Sequence, residues 1–197
     1  MRFSIIILGA ILLMAPGCTR DRQGVPNSHP GFEIHKGVML FKGEPFTGIR
    51  RTELPGGWRE TPYVEGKIQG VEHDWYNDGR MASERPHENG KRVGIHKGWY
   101  PDGNRKFFIE YQDGFQNGES FTWHANGKLY TYSQFVDGKP IGHKTWRYTG
   151  QIYSNYVQVG NRGRIGLIGS DLCNGVEATI PEIIEQSRKD RIIYNQK

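Results

Sequence analysis

Glycine and tryptophan recur along this chain at a fixed interval. Gly66, Gly90, Gly114 and Gly138 lie 24 residues apart, and Gly70, Gly94, Gly118 and Gly142 repeat four positions later. Trp75, Trp99 and Trp123 keep the same period, as do Gly79, Gly103 and Gly127, while Trp146 and Gly150 each arrive one residue early. Between these markers apolar and polar positions alternate: Phe107, Ile109 and Tyr111 against Lys106, Phe108 and Glu110, and Val71, His73 and Trp75 against Glu72 and Asp74. A period of two is that of a strand. The segments Asn77-Asp78-Gly79, Asn89-Gly90, Asp102-Gly103, Asp113-Gly114, Asn126-Gly127 and Asp137-Gly138 separate the runs. Such Asx-Gly pairs accept positive φ at both turn positions. Each interval therefore predicts one β-hairpin with strands of roughly seven to nine residues, and consecutive hairpins make an all-β, elongated antiparallel meander.

The ends depart from the pattern, as the ends of an open array must. A degenerate repeat opens at Phe41 to Gly48, with Gly57 as its hairpin turn, and a trailing fragment runs from Val159 to Gly166. The glycine row Gly70 to Gly142 lies inside strands, where bare backbone suits an overlying aromatic ring. After Cys173, Thr179-Ile180-Pro181-Glu182 has the form of a capping box, and Ile183-Ile184 with Ile192-Ile193 predict a short amphipathic helix over the last strand edge. The chain divides into a signal peptide (1–17), a tether (18–36), a repeat domain (37–170) and a C-terminal cap with a short helix (171–197).

The N-terminus carries the signal. Arg2 precedes an apolar run from Phe3 to Ala15, 13 residues long. A bilayer span needs about 20, so the run fits the apolar region of a secretory signal. It ends Ala15-Pro16-Gly17-Cys18, which resembles a bacterial lipobox, with Ala15 where Leu is usual. The resemblance implies cleavage before Cys18, lipid attachment (palmitate among the acyl chains) at Cys18, and stable anchoring by two or more chains. Thr19 follows the cysteine where the enterobacterial sorting rule would have Asp for inner-membrane retention, which implies the outer membrane. Residues 19 to 36 are polar and rich in Arg, Gly, Pro, Asn and Ser, as a flexible tether would be.

The unit Gly-Lys-x-x-Gly followed by Trp-Tyr-Pro-Asp-Gly-Asn, from Gly90 to Asn104, resembles the bacterial variant of the MORN repeat. Phe41 to Gly166 is similar to the YwqK-like, antitoxin-like group of such proteins, as is Gly-Glu-Pro-Phe-Thr-Gly at Gly43 to Gly48. The resemblance implies an array of 24-residue MORN-like hairpins serving as a membrane-proximal scaffold or protein-binding surface.

Composition narrows the function. With 36% hydrophobic residues, 12% aromatics and 27 glycines, the chain suits a thin sheet covered by Trp, Tyr and Phe. The net charge of +5, from 26 basic and 21 acidic residues, is mild and interspersed, which argues against a nucleic-acid partner. No nucleophile elbow, phosphate loop or Cys-x-x-Cys is present. The seven histidines keep no common offset, and only His73 and His96 fall where adjacent hairpins would bring them together, a weak basis for a metal site. They are expected at the surface or stacked. If Cys18 is lipidated, Cys173 has no partner in the chain and is expected as a buried free thiol.

The Trp row, Trp75, Trp99, Trp123 and Trp146, is the candidate interaction surface, with two meanings. Exposed, it is an aromatic ladder for glycans or quaternary amines; covered, it is the core of an aliphatic-poor sheet. The turn-forming glycines Gly66, Gly79, Gly90, Gly103, Gly114, Gly127, Gly138 and Gly150 are expected to be structural. The sequence leads to a non-enzymatic, cofactor-free envelope lipoprotein that offers a repeat sheet to a protein partner. A cell-wall polymer or a cognate toxin is the alternative partner.

Overall fold

The computed structural model describes residues 24–158 and 164–167. The expected signal peptide, Cys18, Cys173 and the C-terminal helix lie outside the described residues. The strands are β1 (Val25–Pro26), β2 (Phe32–His35), β3 (Val38–Phe41), β4 (Glu44–Pro45), β5 (Gly48–Leu54), β6 (Gly57–Val64), β7 (Lys67–Ile68), β8 (Gly70–Tyr76), β9 (Met81–Glu88), β10 (Lys91–Arg92), β11 (Gly94–Trp99), β12 (Arg105–Gln112), β13 (Phe115–Trp123), β14 (Leu129–Val136), β15 (Lys139–Trp146), β16 (Ile152–Gln158) and β17 (Arg164–Leu167). The long strands pair with their sequence neighbours from β5 to β17, making one antiparallel meander as the 24-residue period predicts. Ordered structure begins earlier than the tether boundary at residue 36. β1 pairs in parallel with β5, and β2 opens a separate three-stranded sheet with β3 and β4.

Two turn types alternate, which corrects the expectation of positive φ throughout the Asx-Gly pairs. At Glu65-Gly66, Asn89-Gly90, Asp113-Gly114 and Asp137-Gly138 both residues have positive φ, as in a two-residue type I′ hairpin. At Asp78-Gly79, Asp102-Gly103 and Asn126-Gly127 only the glycine does. These are three-residue loops. Gly79 N–H donates to Tyr76 O at 2.9 Å and Tyr76 N–H to Arg80 O at 2.8 Å, the pattern of a type I turn closed by a glycine bulge. Here the Asx side chain accepts the N–H two residues on: Asp78 from Arg80 at 3.0 Å, Asp102 from Asn104 at 2.9 Å and Asn126 from Lys128 at 3.1 Å. In the first hairpin the turn glycine is Gly56, at φ 85°, not Gly57. Gly57 starts β6, buried against the Trp75 carbonyl.

The inner glycine row is also not what bare backbone suggested. Nothing aromatic lies over Gly70, Gly94 or Gly118; their nearest neighbours are Pro62, Pro86 and Glu110. They sit in bulges. The ladder Tyr63↔Ile68 resumes as Glu60↔His73 and Arg59↔Asp74, two residues out of step, so Gln69, Gly70 and Val71 all face Pro62. The same displacement recurs opposite Pro86 and Glu110. Proline tolerates such a place because its missing N–H leaves no broken ladder bond. Opposite Gln134 and Phe135 the register slips by only one residue, at Ile141. One bulge residue is missing there, so Trp146 comes one position early. Glycines that do lie beneath a ring are found elsewhere, Gly98 under Phe107 and Gly48 under Phe46.

Bonds at 24-residue intervals tie each repeat to the next along both edges. At one edge the glycine N–H of each type I′ turn donates back one repeat: Gly66 to Phe46 O, Gly90 to Ile68 O, Gly114 to Arg92 O and Gly138 to Gln116 O, at 2.8–2.9 Å. At the other, Tyr76 and Tyr100 hydroxyls donate forward to the Trp99 and Trp123 carbonyls, both at 2.7 Å. His124 Nε2 does the same to Trp146 O at 3.0 Å. The apolar residues form two clusters rather than one core. Met39, Phe46 and Tyr63 pack where the small sheet meets the array, and Phe121, Trp123, Tyr132 and Trp146 pack near its other end.

Candidate functional site

Register decides what the faces carry. Cross-strand pairing runs Glu72↔Arg85, His96↔Ile109, Ile109↔Ser120 and Ser120↔Ser133 on one face, with Arg59↔Asp74, Asp74↔Ser83, Ser83↔Gly98 and Gly98↔Phe107 beside them. These rows bury polar groups: Thr61, Glu72, Asp74, Ser83 and His96 are all at most 9% exposed. Buried charges persist only when paired and hydrogen-bonded, and here they are. Arg59 grips Asp74 with two bonds, Nε to Oδ1 at 2.6 Å and Nη2 to Oδ2 at 3.0 Å. Arg85 Nη1 donates to Asp74 Oδ2 at 2.9 Å and to Glu72 Oε1 at 3.4 Å, and Thr61 donates to Glu72 Oε2 at 2.8 Å. Burial alone would raise the Asp74 pKa, but the bonds from Arg59 and the charges of Arg85 and Arg59 outweigh it and hold the carboxyl below its ordinary value. The bond to Asp74 raises Arg59 in turn.

Above this network lies an open groove of about 480 Å³, whose lining includes Arg85, His87, Arg92, His96, Phe107 and Tyr111. His96 is 3% exposed. Its ring packs on Tyr111, centroids 4.3 Å apart, and its Nε2 lies 3.0 Å from the Pro86 carbonyl. A carbonyl only accepts, so Nε2 carries the proton and Nδ1 a lone pair. Burial, then the neighbouring His87, Arg85 and Arg92, push the His96 pKa down to about 4, against the bond to Pro86. The imidazole is thus neutral at pH 7. Arg92 stands at the rim, its guanidinium 5.4 Å from the Tyr111 ring centroid. The groove offers oriented guanidinium groups, a neutral imidazole and aromatic walls, a set suited to holding an acidic or aromatic group.

A scan against protein-family models and a search of curated proteins found no match.

The four tryptophans do not form one surface. Trp123 and Trp146 are buried, at 6% and 7% exposed, whereas Trp75 and Trp99 are half-buried. Trp75 stacks on Trp58 with centroids 6.3 Å apart, and both indole N–H groups donate to Glu60, at 3.1 and 3.3 Å. Of the turn glycines, all eight have positive φ. His73 and His96 are not brought together. His73 pairs with Glu84 and Glu84 with Lys97, so His73 shares a face with Lys97, and His96, one residue before, points the other way. Of the two places expected for the histidines, His96 takes the stacked one, buried with its ring against Tyr111. Among the described residues no group of three or more His, Cys, Asp or Glu is placed to hold a metal. Arg59, Glu72, Asp74 and Arg85 were not legible as a site from the sequence. Their offsets of 11 to 15 residues become neighbours only once the bulges are counted.

Proposed function

We propose that this chain is a non-enzymatic binding scaffold of the bacterial envelope, lipid-anchored at Cys18, and that the Arg85–Arg92 groove seats a protein partner through an acidic or aromatic side chain. The groove's pre-set guanidinium groups carry this reading. Arg59 and Arg85 are fixed by Asp74 and Glu72 before any partner arrives, and groups ordered in advance cost less to immobilise on binding. Arg and Tyr are also the residues that most often anchor interfaces. The MORN-like resemblance of the repeats points the same way, to a surface rather than a reaction centre. Trp123 and Trp146 are covered, so a glycan ladder built on all four tryptophans has less support.

The test is site-specific photocrosslinking in cells. A crosslinker replacing Tyr111 should give one discrete protein adduct, reduced by Arg92→Glu, while one replacing the exposed Ile34 outside the groove gives none. Adducts that are the same at both positions, or absent at Tyr111, would sink the proposal. Fatty-acid labelling tests the anchor: wild type should take the label and Cys18→Ala should not.

A further inference from the structure

We infer a second binding surface, for an anionic polysaccharide, along the edge formed by the three-residue turns, where Tyr130, Tyr148 and Tyr153 alternate with Lys106, Lys128 and Arg147. The three tyrosines are 46%, 59% and 61% exposed, in a chain whose nearby tryptophans are covered. Soluble surfaces do expose single aromatics, but here two of the three rings pack on one shared histidine. Tyr130 lies 4.6 Å from His124 and Tyr148 5.3 Å from it, centroid to centroid, and His124 is pinned by its bond to the Trp146 carbonyl. Exposed rings held by a fixed neighbour are pre-ordered faces.

The cations interleave with these rings. Arg147 lies 5.5 Å from the Tyr153 centroid, Lys106 5.6 Å from that of Tyr100, and Lys128 reaches the Thr149 carbonyl at 2.9 Å. The one acid in the three-residue turns beside Lys106, Lys128 and Arg147 is Asp102; from Ser120 to Gln158 the sole acid is Asp137, and it sits in a type I′ turn at the opposite edge. The strip is therefore locally cationic. Equivalent positions advance by one repeat, two strand spacings or about 10 Å. A polymer of regular units meets such a strip in register. Sugar rings present apolar C–H faces that stack on tyrosine, and uronate or phosphate groups answer Lys and Arg. Single-stranded nucleic acid offers the same two chemistries. Polysaccharide is the choice because residues 1–17 read as an export signal, and in that respect alone the inference rests on the envelope reading.

Affinity electrophoresis of the full chain, solubilised in neutral detergent, tests it with polygalacturonate, dextran or oligo(dT) cast into the gel. Polygalacturonate should retard the wild type, dextran should not, and high salt should release it. The pair Tyr148→Ala, Tyr153→Ala should bind about tenfold more weakly at an unchanged melting temperature, since both rings are exposed. Arg147→Gln with Lys128→Gln should weaken binding similarly, and Arg92→Gln, in the groove, should not. Tyrosine variants that bind like wild type would reduce the strip to an ion exchanger and overturn the inference. Stronger retention by oligo(dT), equal retention by dextran, or loss through Arg92→Gln would each overturn it too. None of the strip variants touches the groove, so failure here leaves the Tyr111 crosslinking result standing.

Discussion

Acid should weaken this fold through His96 well before its carboxylates are neutralised. In the unfolded chain a histidine titrates near 6.5, whereas burial holds the folded His96 pKa near 4. The sign follows from which state binds the proton. Between those values the unfolded chain is protonated and the folded protein is not, so stability falls as pH drops through 6.5 and levels off below about 4. At about 1.4 kcal/mol per pKa unit, the full displacement is worth about 3 kcal/mol. For a protein of this size that corresponds to about 6–12 °C in melting temperature. His96→Gln is the control, because its amide can still donate to the Pro86 carbonyl but does not titrate. Thermal or urea melts of both proteins from pH 8 to pH 4 give the difference directly, and carboxylates common to both cancel. The difference should be flat above pH 7 and shrink by about 3 kcal/mol toward pH 4. Parallel curves, or an NMR titration placing His96 at 6.5 or above, would refute the account of a buried neutral imidazole.

Other expectations concern packing and turns. Trp123→Ala should cost about 3–5 kcal/mol, as buried large-to-small changes do, while Trp75→Ala, half-buried on Trp58, should cost clearly less in the same urea melts. Tyr100→Phe removes one bond to the Trp123 carbonyl and should cost about 1 kcal/mol, with a local rise in amide exchange around residues 123 to 129. Gly98→Ala, which drives a methyl into the Phe107 ring, should destabilise by about 1–3 kcal/mol. Gly103→Ala meets no neighbour and should lose only about 1 kcal/mol of backbone strain at φ 90°.

The period, the hairpins and the meander were legible because turn chemistry is local. Glycine and Asx at fixed offsets declare a turn whatever packs around it. Faces and partners were not, because they depend on register. Two extra residues opposite Pro62 shift everything that follows, so Asp74 meets Arg59 rather than a residue two positions away. The same bookkeeping hid the burial of His96 and made Trp146 look misplaced. The division of the Trp row was invisible for a different reason. Identical residues at repeat-equivalent places are covered or not according to what the neighbouring strands supply. Phe121 and Tyr132 stand beside Trp123, whereas Glu60 and His73 stand beside Trp75.

The edge bonds at 24-residue intervals have a mechanical meaning. Strands in this sheet lie across its long direction, so a pull between its two ends loads the ladder bonds in tension and opens them one strand at a time, as a zipper opens. Such arrays yield at low force, since few bonds share the load at any instant. The Tyr76, Tyr100 and His124 bonds, with the glycine N–H bonds at the far edge, span from one hairpin to the next at the outer margins of each seam. A peeling front must break them before it reaches the ladder between, so they act as rivets at the two ends of every seam and make the hairpin the unit of rupture.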